Sequence, residues 1–198
     1  MIKSSLILTV AAACTCLSLL LHAAEPVESI DFSTDSLGKK WKAIKGTWKV
    51  SDGKLSGAEL ASDKHAAVLF YPLAHQDSKV QVSFQLNGSE NFHLSFNHPK
   101  GHLYRVIVSE NEVRINLDKD KKDPDSKAVA LAKAKGTFEQ GKTYTLTCES
   151  SGDTVKATIN DVSLQGTHEK LKMTKTGYRF IIKGEGVLFD DFVIHSKE

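Results

Sequence analysis

The sequence predicts an all-β protein built from antiparallel sheets. Two observations carry this. From Val27 onward the apolar residues recur with period two in short runs, and no long stretch keeps a 3.6-residue period. Turn signals interrupt those runs about every 8–12 residues, the spacing of a sandwich or barrel. The composition agrees: 40% hydrophobic and 25% charged residues, with 13 Gly and 4 Pro among 198, exclude a collagen-like or low-complexity chain.

The chain opens outside that pattern. Lys3 supplies a positive start, Leu6 to Leu21 is almost uninterrupted apolar sequence, and small residues follow at Ala23-Ala24. Residues 1–24 therefore read as a cleaved secretory signal peptide, too short for the roughly 20 apolar residues of a membrane span. Ala11-Ala12-Ala13-Cys14 offers a lipoprotein alternative, but the apolar run continues past Cys14. Export leaves residues 25–198 as one domain, secreted or periplasmic, with no membrane span after signal cleavage. Of the 3 Cys, only Cys148 then remains, so no intramolecular disulfide forms and a single core must stabilise the fold. Cys148 alternates with Tyr144 and Leu146 and reads as a buried thiol.

The strands follow in order. Thr47–Val50 and Lys54–Gly57 flank Asp52-Gly53, a hairpin signal. Ala66–Tyr71 is apolar and stops at Pro72. Lys79–Asn87 alternates, with Val80, Val82, Phe84 and Leu86 on one side. Phe92–Asn97, Leu103–Val108 and Glu112–Asp118 continue through turns at His98–Gly101 and Ser109–Asn111. Thr143–Glu149, Thr154–Asn160, Tyr178–Lys183 and Val187–His195 complete the set. Residues 126–135, rich in Ala and Lys, suit either a short helix over the sheet or an edge strand.

Charge narrows the partners. Twenty-six basic residues against 24 acidic ones leave no large field for nucleic acid or anionic membrane. The face opposite the apolar positions carries Gln81, Ser83, Gln85, His93, Ser95, Asn97, Arg105, Arg114 and Asn116. Amides, hydroxyls, His and Arg offer paired donors and acceptors that suit vicinal sugar hydroxyls, although plain solvation accounts for the same periodicity. Trp41, following Lys39-Lys40, is the candidate aromatic platform for a sugar ring, with core burial as its alternative. Trp48 reads as core.

Metal and catalytic patterns are weaker. The acidic run Asp118–Asp125 lacks the Gly and Glu of a calcium loop, and three Lys residues offset its charge. His93, His98 and His102 surround one turn, with no Cys or carboxylate at ligand spacing. Strict alternation would turn Asp190 or Asp191 inward. If the first and last strands are neighbours, Asp31 and Asp190 are positioned either to share a structural calcium or to bond backbone. Two-carboxylate glucanase spacings, a serine elbow, a P-loop and a dinucleotide fingerprint are all missing from the sequence.

Several segments resemble one superfamily. Trp41, the run Gly46-Thr47-Trp48-Lys49-Val50-Ser51-Asp52-Gly53-Lys54-Leu55-Ser56-Gly57, the block from Gly136 to Asn160 and Phe189-Asp190-Asp191-Phe192-Val193 resemble secreted bacterial proteins of the concanavalin A-like lectin/glucanase superfamily. The nearest look is to the 3-keto-disaccharide hydrolase group and its laminin-G-like relatives. The resemblance implies a two-sheet antiparallel β-sandwich, a jelly roll with a concave sugar-facing sheet. The Asn-Ser-Gly strand and Gly-Tyr-Glu-x-Gln block of those hydrolases have no counterpart here; His102–Val106 stands in the comparable region. The leading expectation is an exported carbohydrate-binding module with Gln81, Gln85, His93, Asn97, Arg105, Arg114, Asn116 and Trp41 at its ligand, and no required cofactor. A 3-keto-disaccharide hydrolase and a protein-interaction domain without sugar affinity are the alternatives.

Overall fold

The computed structural model describes residues 25–34 and 36–197. The expected signal peptide, residues 1–24, lies outside them. Fifteen strands form two sheets in which every neighbouring pair is antiparallel.

The first sheet runs β13 (Val162–Thr167), β12 (Thr154–Ile159), β11 (Thr143–Ser151), β6 (Asp77–Leu86), β15 (Val187–Lys197), β4 (Lys54–Ala58), β3 (Thr47–Ser51), and β1 (Glu28–Ile30) adds to β15. The second runs β10 (Val129–Lys135), β9 (Glu112–Leu117), β8 (Gly101–Ser109), β7 (Ser89–His98), β14 (Lys175–Gly184), β5 (Ala67–His75), β2 (Lys42–Lys45). Helical structure among the described residues is limited to two 3-10 turns, Ala61–Asp63 and Glu169–Lys172. Residues 129–135, ambiguous in sequence, form an edge strand.

The core lies between the sheets. Val80, Val82, Phe84 and Leu86 of β6 meet Phe92, Leu94 and Phe96 of β7 and Tyr178, Phe180 and Ile182 of β14. Phe180 and Phe189 stack with ring centroids 4.4 Å apart, and Phe92 meets Phe189 edge-on at 5.4 Å, so aromatic pairs join the two layers. Cys148 is buried and unpaired, and burial raises its pKa, which leaves it an inert thiol.

Two local devices set register. Asp52 and Gly53 have φ of 54° and 69°, as a two-residue primed turn requires. In β15 the pairing with β6 shifts between Asp190 and Val193, and Asp191 sits at φ 47°. This bulge lets Phe189 and Phe192 both face the core while Asp190 and Asp191 stay outside, so the inward carboxylate that alternation demanded does not arise.

Candidate functional site

The outer face of the second sheet carries the candidate site. Register places side chains in rows across the strands. One row reads Phe70 (β5), Arg179 (β14), Ser95 (β7), Arg105 (β8), Asn116 (β9). The next reads Val68, Ile181, His93, Ile107, Arg114. Val68, Ile107 and Ile181 are nearly buried yet stand apart from the sandwich core, so they form an apolar floor on the outside of the sheet. Over it opens a cleft of about 450 Å³. His65, His93, His102, Arg105, Asp118 and Arg179 line it, with Lys100, Lys119 and Lys121 at the strand-end loops.

Hydrogen bonds tie the polar lining together. Asp118 takes both prongs of the Arg105 guanidinium, Nε to Oδ2 at 2.8 Å and Nη2 to Oδ1. Arg105 Nη1 reaches His93 Nδ1 at 3.4 Å, and His93 Nε2 lies 2.8 Å from Asn91 Oδ1. An arginine only donates and a side-chain amide oxygen only accepts, which assigns the neutral His93 tautomer with its proton on Nε2. Burial, with Arg105 adding to it, pushes the His93 pKa down to about 3. His102 Nδ1 lies 2.8 Å from Ser95 Oγ, and burial together with Arg179 pushes its pKa down to about 4. Its Nε2 makes no hydrogen bond among the described residues.

Unused capacity sits on the same face. Asn97 Nδ2, Asn116 Oδ1 and Arg179 Nε are buried atoms without a hydrogen-bond partner. Arg179 lies over the Phe70 ring, 5.2 Å from its centroid, and burial lowers its pKa.

The sheet brings together His93, Asn97, Arg105 and Asn116 and separates the other expected ligands. Gln81 and Gln85 project from β6, in the first sheet, so they stand on the opposite side of the sandwich. Period two groups residues within a strand but does not say which sheet that strand joins. Arg114 lies beyond Ile107 and pairs with Glu112 at 3.0 Å, outside the cleft lining. Trp41 is 7% exposed and packs on Tyr71, Phe180 and Phe192 at 4.7–5.4 Å, so it is a core residue and offers the cleft no platform. Trp48, expected in the core, is partly buried and covers Gly57. Arg179 went unread in the sequence. Its signal was alternation against Tyr178, Phe180 and Ile182, which turns Arg179 away from the core.

The metal candidates find other partners. Asp31 Oδ1 accepts the Ser33 amide, and Asp190 pairs with Lys54 at 3.2 Å. Asp120 and Asp123 accept backbone amides of their own loop. Among the described residues no group of three or more His, Cys, Asp and Glu side chains gathers to hold an ion.

No protein-family profile and no curated protein matches the sequence. Solved structures do match its fold. The carbohydrate binding module CBM66 from Bacillus subtilis superposes with TM-score 0.66 at 16% identity, covering 79% of this chain and 96% of that one. SCLam, a non-specific endo-β-1,3(4)-glucanase from family GH16, gives 0.60 at 10% identity, covering 87% and 91%. LamAcat from Zobellia galactanivorans gives 0.58 at 13% identity, covering 87% and 97%. The fold is a concanavalin A-like jelly-roll sandwich.

Proposed function

We propose that this protein is an exported carbohydrate-binding module that holds its sugar on the outer face of the second sheet. The observation that carries this reading is the cleft over Val68 and Ile181. It combines an apolar floor, which suits the C–H face of a sugar ring, with two nitrogens that have no hydrogen-bond partner among the described residues, Arg179 Nε and His102 Nε2. Arg179 and His102 are the groups we assign to the ligand; Asn97 and Asn116 stand on the same face outside the cleft lining, and Arg105, His93 and Asp118 hold one another in place. The fold likeness to a carbohydrate binding module supports the reading.

A 3-keto-disaccharide hydrolase is the less favoured reading. Hydrolysis by a carboxylate pair needs a second acid across the sugar. Asp118 is the one carboxylate among the described residues lining the cleft, and both of its oxygens are held by Arg105. Export follows from the leader-like residues 1–24. No helix among the described residues is long and apolar enough to cross a membrane.

The test is a thermal-shift screen of the purified protein against a glycan panel that includes 3-keto-disaccharides, with product analysis of every hit. A ligand at about 100 times its Kd stabilises the protein by roughly 2.7 kcal/mol. We expect such a shift without turnover, and its loss in His102→Ala. Turnover of a keto-sugar would promote the hydrolase. Silence from folded protein would leave a protein-interaction module. Parallel melts with Ca²⁺ and with EDTA test a structural calcium at Asp31 and Asp190; identical curves would remove it.

A further inference from the structure

We propose that the sugar this cleft takes is anionic, a glycan carrying carboxylate or sulfate groups, and that Arg179 is the residue that reads the charge. The inference rests on the carbohydrate reading above and narrows its substrate class.

It begins with a charge count at one place. Although the whole chain is nearly balanced, the cleft lining holds five permanent cations: Lys100, Arg105, Lys119, Lys121 and Arg179. Two of them are answered. Arg105 is chelated by Asp118, and Lys100 lies 3.5 Å from Asp120. Arg179, Lys119 and Lys121 form no ion pair with any described residue. Three cations without an ion pair around one cleft favour an anion there; Lys119 and Lys121 share their loop with carboxylates, so Arg179 is the one with no acidic neighbour in its own strand, and low-dielectric walls strengthen its pull.

The geometry at Arg179 makes this more than a solvated basic rim. Lys119 and Lys121 lie on a loop, where a charge costs little. Arg179 lies mid-strand in β14, between Phe70 of β5 and Ser95 of β7. Its guanidinium rests over the Phe70 ring, and its Nε is buried without an acceptor. A partly desolvated guanidinium without a carboxylate carries an electrostatic cost that the Phe70 ring offsets only in part. Five fixed N–H donors in a planar fork match a carboxylate or sulfate edge-on, and stacking on Phe70 holds the fork in one plane. The adjoining His102 is held neutral with Nε2 free, so beside the anion it can bond a hydroxyl without adding charge. A neutral sugar would leave the Arg179 charge unanswered.

The experiment measures binding of the purified protein to three polymers, polygalacturonate, dextran sulfate and uncharged dextran, at low and at physiological salt, with inorganic sulfate as a small-ion control. We expect one of the two anionic polymers to bind at least about tenfold more tightly than dextran, with the stronger of the two separating carboxylate from sulfate recognition. Arg179→Gln should reduce that affinity by about tenfold or more, and Arg179→Lys, which keeps the charge but loses the fork, should restore only part of it. The double variant Lys119→Gln/Lys121→Gln should weaken binding about threefold and flatten its salt dependence, as expected for rim charges. Circular dichroism and a thermal melt establish that each variant is folded, and Arg179→Lys keeps the test open if Arg179→Gln is not.

Several outcomes overturn the proposal, each in a distinguishable way. Dextran binding that equals the anionic polymers and is lost in His102→Ala removes the anion preference but leaves the carbohydrate module. Dextran sulfate binding unchanged in Arg179→Gln reduces the effect to diffuse charge. Binding of sulfate ion with no gain from any polymer keeps an anion site and removes the carbohydrate reading. No binding to any probe removes both.

Discussion

Arg105 is the residue on which the site's architecture turns. Its side chain is 26% exposed and that of Asp118 12%, so neither charge is fully hydrated. Removing the guanidinium leaves a nearly buried carboxylate unpaired and takes away the donor facing His93 Nδ1. Breaking such a pair costs more than the pair itself contributes, because the remaining charge keeps its desolvation penalty. Arg105→Ala is therefore expected to destabilise the protein by roughly 2–3 kcal/mol, and Arg105→Ala/Asp118→Ala by less than the sum of the single changes. Urea unfolding of the three variants gives the coupling directly; additive losses would show that the pair is not a unit. The same comparison separates scaffold from ligand group. Arg105 was legible in sequence as a donor on the polar face, yet the structure spends its donors on Asp118 and His93. Arg179, facing away from Tyr178 and Phe180 in the otherwise apolar stretch Tyr178–Ile182 of β14, keeps donors to spare. Alternation reports direction, but only three-dimensional partners report which polar groups are already used.

At the scale of the element, the β3–β4 hairpin shows why a short motif can be so specific. Trp48 pairs with Gly57, and a Cβ built at Gly57 would meet Trp48 Cζ3 at 2.3 Å and Ile182 Cδ1 at 2.6 Å. The glycine is the bed on which the indole lies. At Gly53, by contrast, nothing stands within 4 Å, and only its φ of 69° favours glycine. Gly53→Ala should then cost about 1 kcal/mol from backbone strain alone. Gly57→Ala should cost roughly 2–3 kcal/mol, because overpacking displaces two large side chains. Chemical denaturation of both variants checks the order, and a smaller loss at Gly57 would refute the packing account. Elements of this kind were readable from sequence: the Asp-Gly turn, the alternation of β6 and β7, the edge position available to β10. Strands that lacked a pattern of their own were not. Lys42–Lys45 is exposed at every position, and Val162–Thr167 has only two large apolar residues, Val162 and Leu164, before Gly166 takes the third place in the alternation. The bulge in β15 also broke the pattern, since one left-handed residue at Asp191 reverses the facing of everything after it.

For the whole molecule the feature with the widest consequence is a set of three histidines held neutral by burial, complete at His75 and partial at His93 and His102. His93 and His102 line the cleft. His75 stacks on Tyr178 on the core side, with ring centroids 4.5 Å apart, and burial pushes its pKa down to about 4. All three folded-state values fall below the ordinary 6.5, to about 3 for His93 and about 4 for His75 and His102. As pH falls through 6.5 the unfolded chain therefore takes up protons that the folded chain refuses. Stability should be full above about pH 7 and decline as pH falls from 6.5 toward 4, by up to about 1.4 kcal/mol per pH unit for each histidine. Carboxylates held down by partners, such as Asp63 by the Gly46 amide and Asp120 by the Lys122 amide, act in a separate window below their ordinary 3.8. Glu28 and Glu112 are likewise held below their ordinary 4.5, so urea midpoints measured from pH 7.5 to 5.5 isolate the histidines. A steady loss across that range, made shallower by His75→Gln, is the expected result, and a flat profile would mean that these side chains charge freely in the native state. Binding should follow a different course. The Arg179 guanidinium keeps its charge throughout that range, so affinity for an anionic glycan should hold until the sheet itself gives way. Affinity that changes while the fold is intact would instead mean that His102, the histidine assigned to the sugar, takes up its proton within that range.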